Sequence, residues 1–286
     1  MTTRHSLLWK ALIALGCAML CHLPLRADDV AQAGRTIVAK YQESLVTLSI
    51  TLKIHTSMNG EQNTDDEKSE AIGTVINPSG LIVASLATAD PAEALAGMGR
   101  DHEEMKITTE IVNLIIRTAD GKEMPGKIVL RDKDLDLVFI RPLKKPAAPL
   151  AALDMKAGIV PGLLDEMAII YRLGNIASHA VCITVDRLQA VVQKPRTFYV
   201  PGIAAMSTRL GAPVFALDGH PIGILLLRTA PESKSGMSSS SGGIGEANML
   251  YIVLPAADIL DAAKDAPEVS AVKDAPPVKD TPPVKK

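Results

Sequence analysis

Cysteine is scarce in this chain of 286 residues: there are three, at Cys17, Cys21 and Cys182. The first two lie in an apolar N-terminal stretch, and without that stretch Cys182 has no partner, which excludes a disulfide framework and leaves stability to packing. His55, His102, His179 and His220 show no metal-ligand spacing, so no metal site is expected. Gly242-Gly243-Ile244-Gly245 is too irregular, and too far from a strand-to-helix junction, to cradle a phosphate, so no cofactor is expected either. Basic residues are not in excess, at 30 against 32 acids. Beyond the N-terminus no apolar run is long enough to span a bilayer, since Ile222 to Leu227 is strand-length and ends at Arg228.

The N-terminus itself has the form of an export signal. Arg4, His5 and Lys10 precede the apolar run Ala11 to Leu20, and Leu25-Arg26-Ala27 offers a small residue for cleavage before Asp28-Asp29. Residues 1–27 are therefore expected to be removed, giving an exported protein, periplasmic or secreted. Ala14-Leu15-Gly16-Cys17 resembles a lipoprotein box only weakly, because cleavage there would leave a very short apolar region. Loss of Arg4, Lys10 and Arg26 takes the basic count from 30 to 27 against 32 acids, a formal charge of −5. That balance argues against nucleic acid or an anionic membrane as the partner.

The remainder reads as β structure punctuated by turns. Asp28 and Asp29 can cap an entry helix over 28–43, with Val30, Ala33, Ile37 and Tyr41 at helical spacing. Ser44 to Ile54 alternates like a strand, and the polar run His55 to Glu70 reads as a solvated loop. Ala71 to Ala84 reads strand, Pro78-Ser79-Gly80 turn, strand. Asp90-Pro91 predicts a helix over 92–98, and Asp120-Gly121 a hairpin between Ile111–Arg117 and Lys127–Leu130. Pro142 to Pro149 is a crossing between two units. Strands are then expected at 166–171, 179–185, 188–192 and 196–200. After them comes the hairpin Val214–Leu217, Asp218-Gly219, Ile222–Leu227. Thr229 to Asn248 is a Gly- and Ser-rich loop, Met249–Leu254 a strand, and Pro255 to Leu260 a helix. The segment from 263 repeats Val-Lys-Asp-x-Pro-Pro and is expected to be a disordered tail.

Three of these blocks resemble chymotrypsin-like serine proteases of the Deg/HtrA type. Gly211-Ala212-Pro213 to Ile224 is similar to the family's nucleophile segment, Gly-Asn-Ser-Gly-Gly-Pro-Leu with a following Asp-Gly hairpin. Gly73 to Ala89 is similar to the hairpin that ends in the catalytic histidine. Arg131-Asp132-Lys133-Asp134-Leu135-Asp136-Leu137 resembles the family's Arg-Asp-x-x-Thr-Asp-Leu. The resemblance implies an all-β fold of two six-stranded antiparallel β-barrels with short flanking helices, the barrels over 44–145 and 146–262. It also places Ala87 where the general base stands, Leu210 where the nucleophile stands, and Asp136 where the orienting acid stands.

One triad member of three is thus retained. Loss of serine or histidine costs such an enzyme roughly a millionfold in turnover, so the resemblance implies a pseudoprotease without family-type proteolysis. Thr208, Arg209 and Leu210 stand in the loop that would build the oxyanion hole, where the family's Gly-Asn-Ser turn is missing. The partner implied is a peptide or protein held in the old substrate cleft. Two other readings stand beside it: a hydrolase with a rearranged nucleophile such as Ser207, and a structural module of the cell envelope. Ser207 and Thr208 read equally as loop hydroxyls serving local backbone groups, and Cys182 as a small buried apolar residue.

Overall fold

The computed structural model describes residues 27–58, 61–91, 105–202, 209–229 and 249–269. The export signal through residue 26, the helix expected over 92–98, His102, Ser207, Thr208, the Gly/Ser segment 230–248 and the tail from residue 270 lie outside them.

The chain opens with helix α1 (Ala27–Tyr41) and a 3-10 turn (Gln42–Ser44). Six strands follow: β1 (Leu45–Met58), β2 (Glu61–Asn77), β3 (Leu81–Ser85), β4 (Met105–Arg117), β5 (Glu123–Asp132) and β6 (Leu137–Pro142), with the one-turn helix α2 (Leu86–Ala89) after β3. The second half repeats the plan with β7 (Glu166–Arg172), β8 (Val181–Val192), β9 (Phe198–Pro201), β10 (Pro213–Ala216), β11 (Pro221–Thr229) and β12 (Met249–Pro255), closing on helix α3 (Ala256–Ala263). Each set closes into an antiparallel barrel. Their strand orders, β1-β2-β3-β6-β5-β4 and β7-β8-β9-β12-β11-β10, are the same order used twice.

Turn chemistry places the hairpins. Gly80, Gly121 and Gly219 sit at φ +98°, +82° and +87°, so Pro-Ser-Gly and the two Asp-Gly pairs form the turns their composition predicts. The largest buried cluster lies between the barrels. It joins Leu45, Leu81, Val83 and Phe139 of the first to Phe215, Ile224 and Leu254 of the second, with Ile37 of α1 and Ile259 of α3. Tyr41 at the end of α1 stacks on Phe215 at 4.6 Å and donates from its hydroxyl to the Gly219 carbonyl. The entry helix is thereby fixed to the second barrel. No helix among the described residues is long and apolar enough to cross a membrane.

Several expectations change. Within the polar run, residues 55–58 and 61–70 continue β1 and β2 as a long two-stranded ribbon rather than a loop. Met58 pairs with Glu61 and the register continues unbroken to Leu45–Thr74, while β4 pairs with the other side of β1 from Met105 to Arg117. Ladder bonds on both sides of β1 satisfy the backbone there without a buried face. The two strands read at 179–185 and 188–192 are the single strand β8. Asp90 follows α2 and precedes Pro91, which is helical, and its carboxylate pairs with Arg131 at 2.9 Å.

Residues 264–269, read from sequence as the start of the tail, pack onto the first barrel. Ala266 is buried, and the guanidinium of Arg141 on β6 donates to the Pro267 carbonyl at 3.0 Å and pairs with Glu268 at 3.1 Å. Arg141 is itself buried, so these bonds form where water competes poorly. Arg141→Met is expected to lower stability by about 1–2 kcal/mol and to speed amide exchange selectively over 264–269. Unchanged exchange there would show that the segment is held by its apolar contacts alone.

Candidate functional site

Asp136 occupies the tight turn between β5 and β6 at φ +57°, a left-handed conformation that aspartate tolerates better than most residues. Its own carbonyl accepts from the Leu86 amide at 2.9 Å, which fixes α2 above it. The buried carboxylate takes three donors. Oδ1 accepts from the Ala87 amide at 2.7 Å; Oδ2 accepts from the Ser85 hydroxyl at 2.7 Å and from the Leu227 amide, on β11 of the second barrel, at 2.9 Å. Asp136 therefore bridges the two barrels through one oxygen.

The loop before β10 approaches from the other side. Gly211 sits at φ +87°, its amide donating to the Leu225 carbonyl and its carbonyl accepting from the Thr74 hydroxyl of the first barrel. A Cβ at residue 211 would collide with the Ile72 carbonyl and lie 3.3 Å from the Ser85 nitrogen. Only glycine allows this approach, which seats residue 210 on the seam. Leu210 is 3% exposed and belongs to a cluster with Ile72, Met167, Tyr199 and Val214, and Ala87 packs against the same cluster. Arg209 lies with its guanidinium carbon 4.8 Å from the centre of the Tyr171 ring. Ala87 bonds to Asp136 and packs against the cluster that holds Leu210, so the three positions lie along one seam between the barrels.

Burial pushes the Asp136 carboxyl up from 3.8 to about 6, against the opposing pull of Leu227, Ser85 and Ala87. The folded state thus holds the proton more tightly than the unfolded chain, and the stability this carboxyl contributes is complete below about pH 4. It is lost as pH rises through 6, a decline of about 3 kcal/mol. Exposed carboxylates held low by partners, such as Asp218 beside His220, act in the opposite direction. Comparing wild type with Asp136→Asn by urea denaturation from pH 4 to 7 isolates the effect: the difference between them should shift across this window, and a constant difference would refute it.

Two residues of this site escape a reading of the sequence. Ser85 stands at the N-terminal cap of α2 but makes no capping bond, and its hydroxyl turns to Asp136 instead. Leu227 contributes only an amide, which no side-chain pattern reveals. Of the other residues singled out from sequence, Cys182 is a free, partly buried thiol packed beside the Leu210 cluster. His55 lies on β1 beside Thr64, and His220 beside Asp218. His179 is not a surface residue: its side chain is 14% exposed at the barrel junction, with Nε2 2.8 Å from Arg117. Among the described residues no group of histidine, cysteine and carboxylate side chains is placed to hold a metal. A cavity of about 630 Å³ lies between Gln42–Glu43, the 118–124 hairpin and the 146–151 linker. None of Ala87, Asp136 and Leu210 lines it.

Two closed six-stranded antiparallel barrels, with residues 87, 136 and 210 on their seam, define the trypsin-like double-barrel fold. No family model matches the sequence, and no curated protein matches it. Among solved structures, the HtrA-type protease AlgW with a tripeptide is similar at 17% identity and a TM-score of 0.48, over 79% of this chain. The match spans 61% of that protein's chain.

Proposed function

We propose that this chain is an exported, non-catalytic homologue of trypsin-like serine proteases that binds peptides or protein partners along the seam between its barrels. The observation that carries the reading is the Asp136 carboxylate, whose three donors are a serine hydroxyl and two backbone amides in place of an imidazole. The buried Leu210 supports it, because residue 210 offers neither a hydroxyl nor access to a scissile bond. Export rests on the charged, apolar and small-residue pattern of residues 1–27. Peptide binding rests on analogy with the double-barrel fold, whose proteolytic members take peptides between their barrels.

A fluorophosphonate probe and a library of extended peptides test both halves. The expected result is no covalent labelling and no cleavage, with saturable peptide binding that protects amides near residues 85–87 and 210–212 from exchange. Labelling abolished by Ser207→Ala would replace this reading with that of a hydrolase using a rearranged nucleophile. Protection confined to the 146–151 linker would move the binding site to the cavity there. No binding at high peptide concentration would leave a structural envelope role.

A further inference from the structure

The central ribbon of the first barrel extends well beyond the barrel wall. β1 from Leu52 to Met58 is flanked by Glu61–Glu67 of β2 and Met105–Ile111 of β4, while β3 pairs only with Gly73–Asn77 and β5 only with Ile115–Arg117. Among the described residues this leaves two sheet edges without a neighbouring strand, and they differ in composition. The β2 edge carries Glu61, Asp65, Asp66, Glu67 and Glu70 against one Lys68, and residues 62–68 are all exposed. Dense charge of one sign is how proteins keep an edge from pairing.

The β4 edge has no such protection. Met105-Lys106-Ile107-Thr108-Thr109-Glu110-Ile111-Val112 is rich in β-branched residues, contains no proline and carries one charge of each sign. Such a segment has the composition that favours strand addition. Val112 is 54% exposed at this edge.

The order of the charges selects the partner. If two copies of this strand run antiparallel with Thr108 at the centre, position 106 lies opposite position 110 of the other copy, and position 110 opposite 106. Each lysine position then faces a glutamate position twice across one twofold axis, the isologous arrangement of a symmetric dimer. Met105 falls opposite Ile111, and Ile107 opposite Thr109. The acidic β2 edge cannot pair with itself in this way without setting like charges against each other. We infer that the β4 edge, residues 105–112, is a homodimerisation strand that joins two copies of this chain into a continuous six-stranded ribbon.

Charge exchange tests the register directly. Sedimentation velocity over a concentration series into the hundreds of micromolar should show a monomer–dimer equilibrium for the wild type. Glu110→Lys alone, and Lys106→Glu alone, should each weaken dimerisation by about tenfold or more, since each replaces two opposite-charge pairs with like-charge pairs. The double variant Lys106→Glu/Glu110→Lys should return to within a few-fold of wild type. Glu110→Lys also sets a second lysine beside Lys53 within the sheet, but the double variant shares that neighbour, so its recovery reports the contact between copies. Thermal melts of the single variants confirm that they are folded. A wild type that stays monomeric throughout overturns the inference and leaves the edge to a foreign strand. A dimer indifferent to the single reversals also overturns it, placing the interface on another face.

Discussion

Alanine at residue 211 is expected to lower the unfolding free energy by on the order of 4 kcal/mol, the cost of a backbone clash and a left-handed conformation together. The methyl group would enter the space of the Ile72 carbonyl on β2. Because β2 belongs to a closed barrel, that carbonyl cannot retreat without disturbing its ladder with β1. The loop must move instead, taking with it the Gly211 amide bonded to Leu225 and the carbonyl bonded to Thr74. Urea denaturation at constant pH measures the change. A loss under about 1 kcal/mol would mean that the seam tolerates separation at this point.

The second large effect concerns catalysis. Placing histidine at residue 87 and serine at residue 210 is expected to yield almost no hydrolysis, even though each of these groups accounts for roughly a millionfold in an intact triad. The reason is Asp136. Its Oδ2 already has two donors, the Ser85 hydroxyl and the Leu227 amide, and its Oδ1 has the amide of residue 87, so an imidazole N–H must compete for the acid and the productive tautomer is poorly fixed. Removing the Ser85 hydroxyl frees one acceptor position. The triple variant Ser85→Ala/Ala87→His/Leu210→Ser should therefore react with a fluorophosphonate at least about tenfold faster than the double variant Ala87→His/Leu210→Ser, in line with the larger cost of a misdirected imidazole. Equal rates for the two would show that the Ser85 hydroxyl does not compete for the acid.

Most of the barrel architecture is legible from local turn chemistry. Pro78-Ser79-Gly80, Asp120-Gly121 and Asp218-Gly219 each demand a tight reversal, and the apolar runs on either side have nowhere to go but into paired strands. The same logic fails at residues 55–70, where no alternation of apolar residues marks a strand. Residues 61–70 pair locally with 49–58, but 62–68 are polar and exposed, so the ladder forms without the apolar alternation that marks a half-buried strand. The candidate site divides the same way. Asp136, Ala87 and Leu210 can be found from sequence because they fall inside recognisable blocks. Ser85 and the Leu227 amide cannot, because their role exists only once the second barrel has closed against the first. His179 reads as a surface histidine for a similar reason: Arg117, which covers it, is 62 positions away.

The bond from Arg141 to the Pro267 carbonyl spans 126 positions. A ribosome delivers the first barrel long before residue 267 emerges, so β6 must wait, its guanidinium still in water, until the whole second barrel has been made. Contacts of such separation slow the final step of folding.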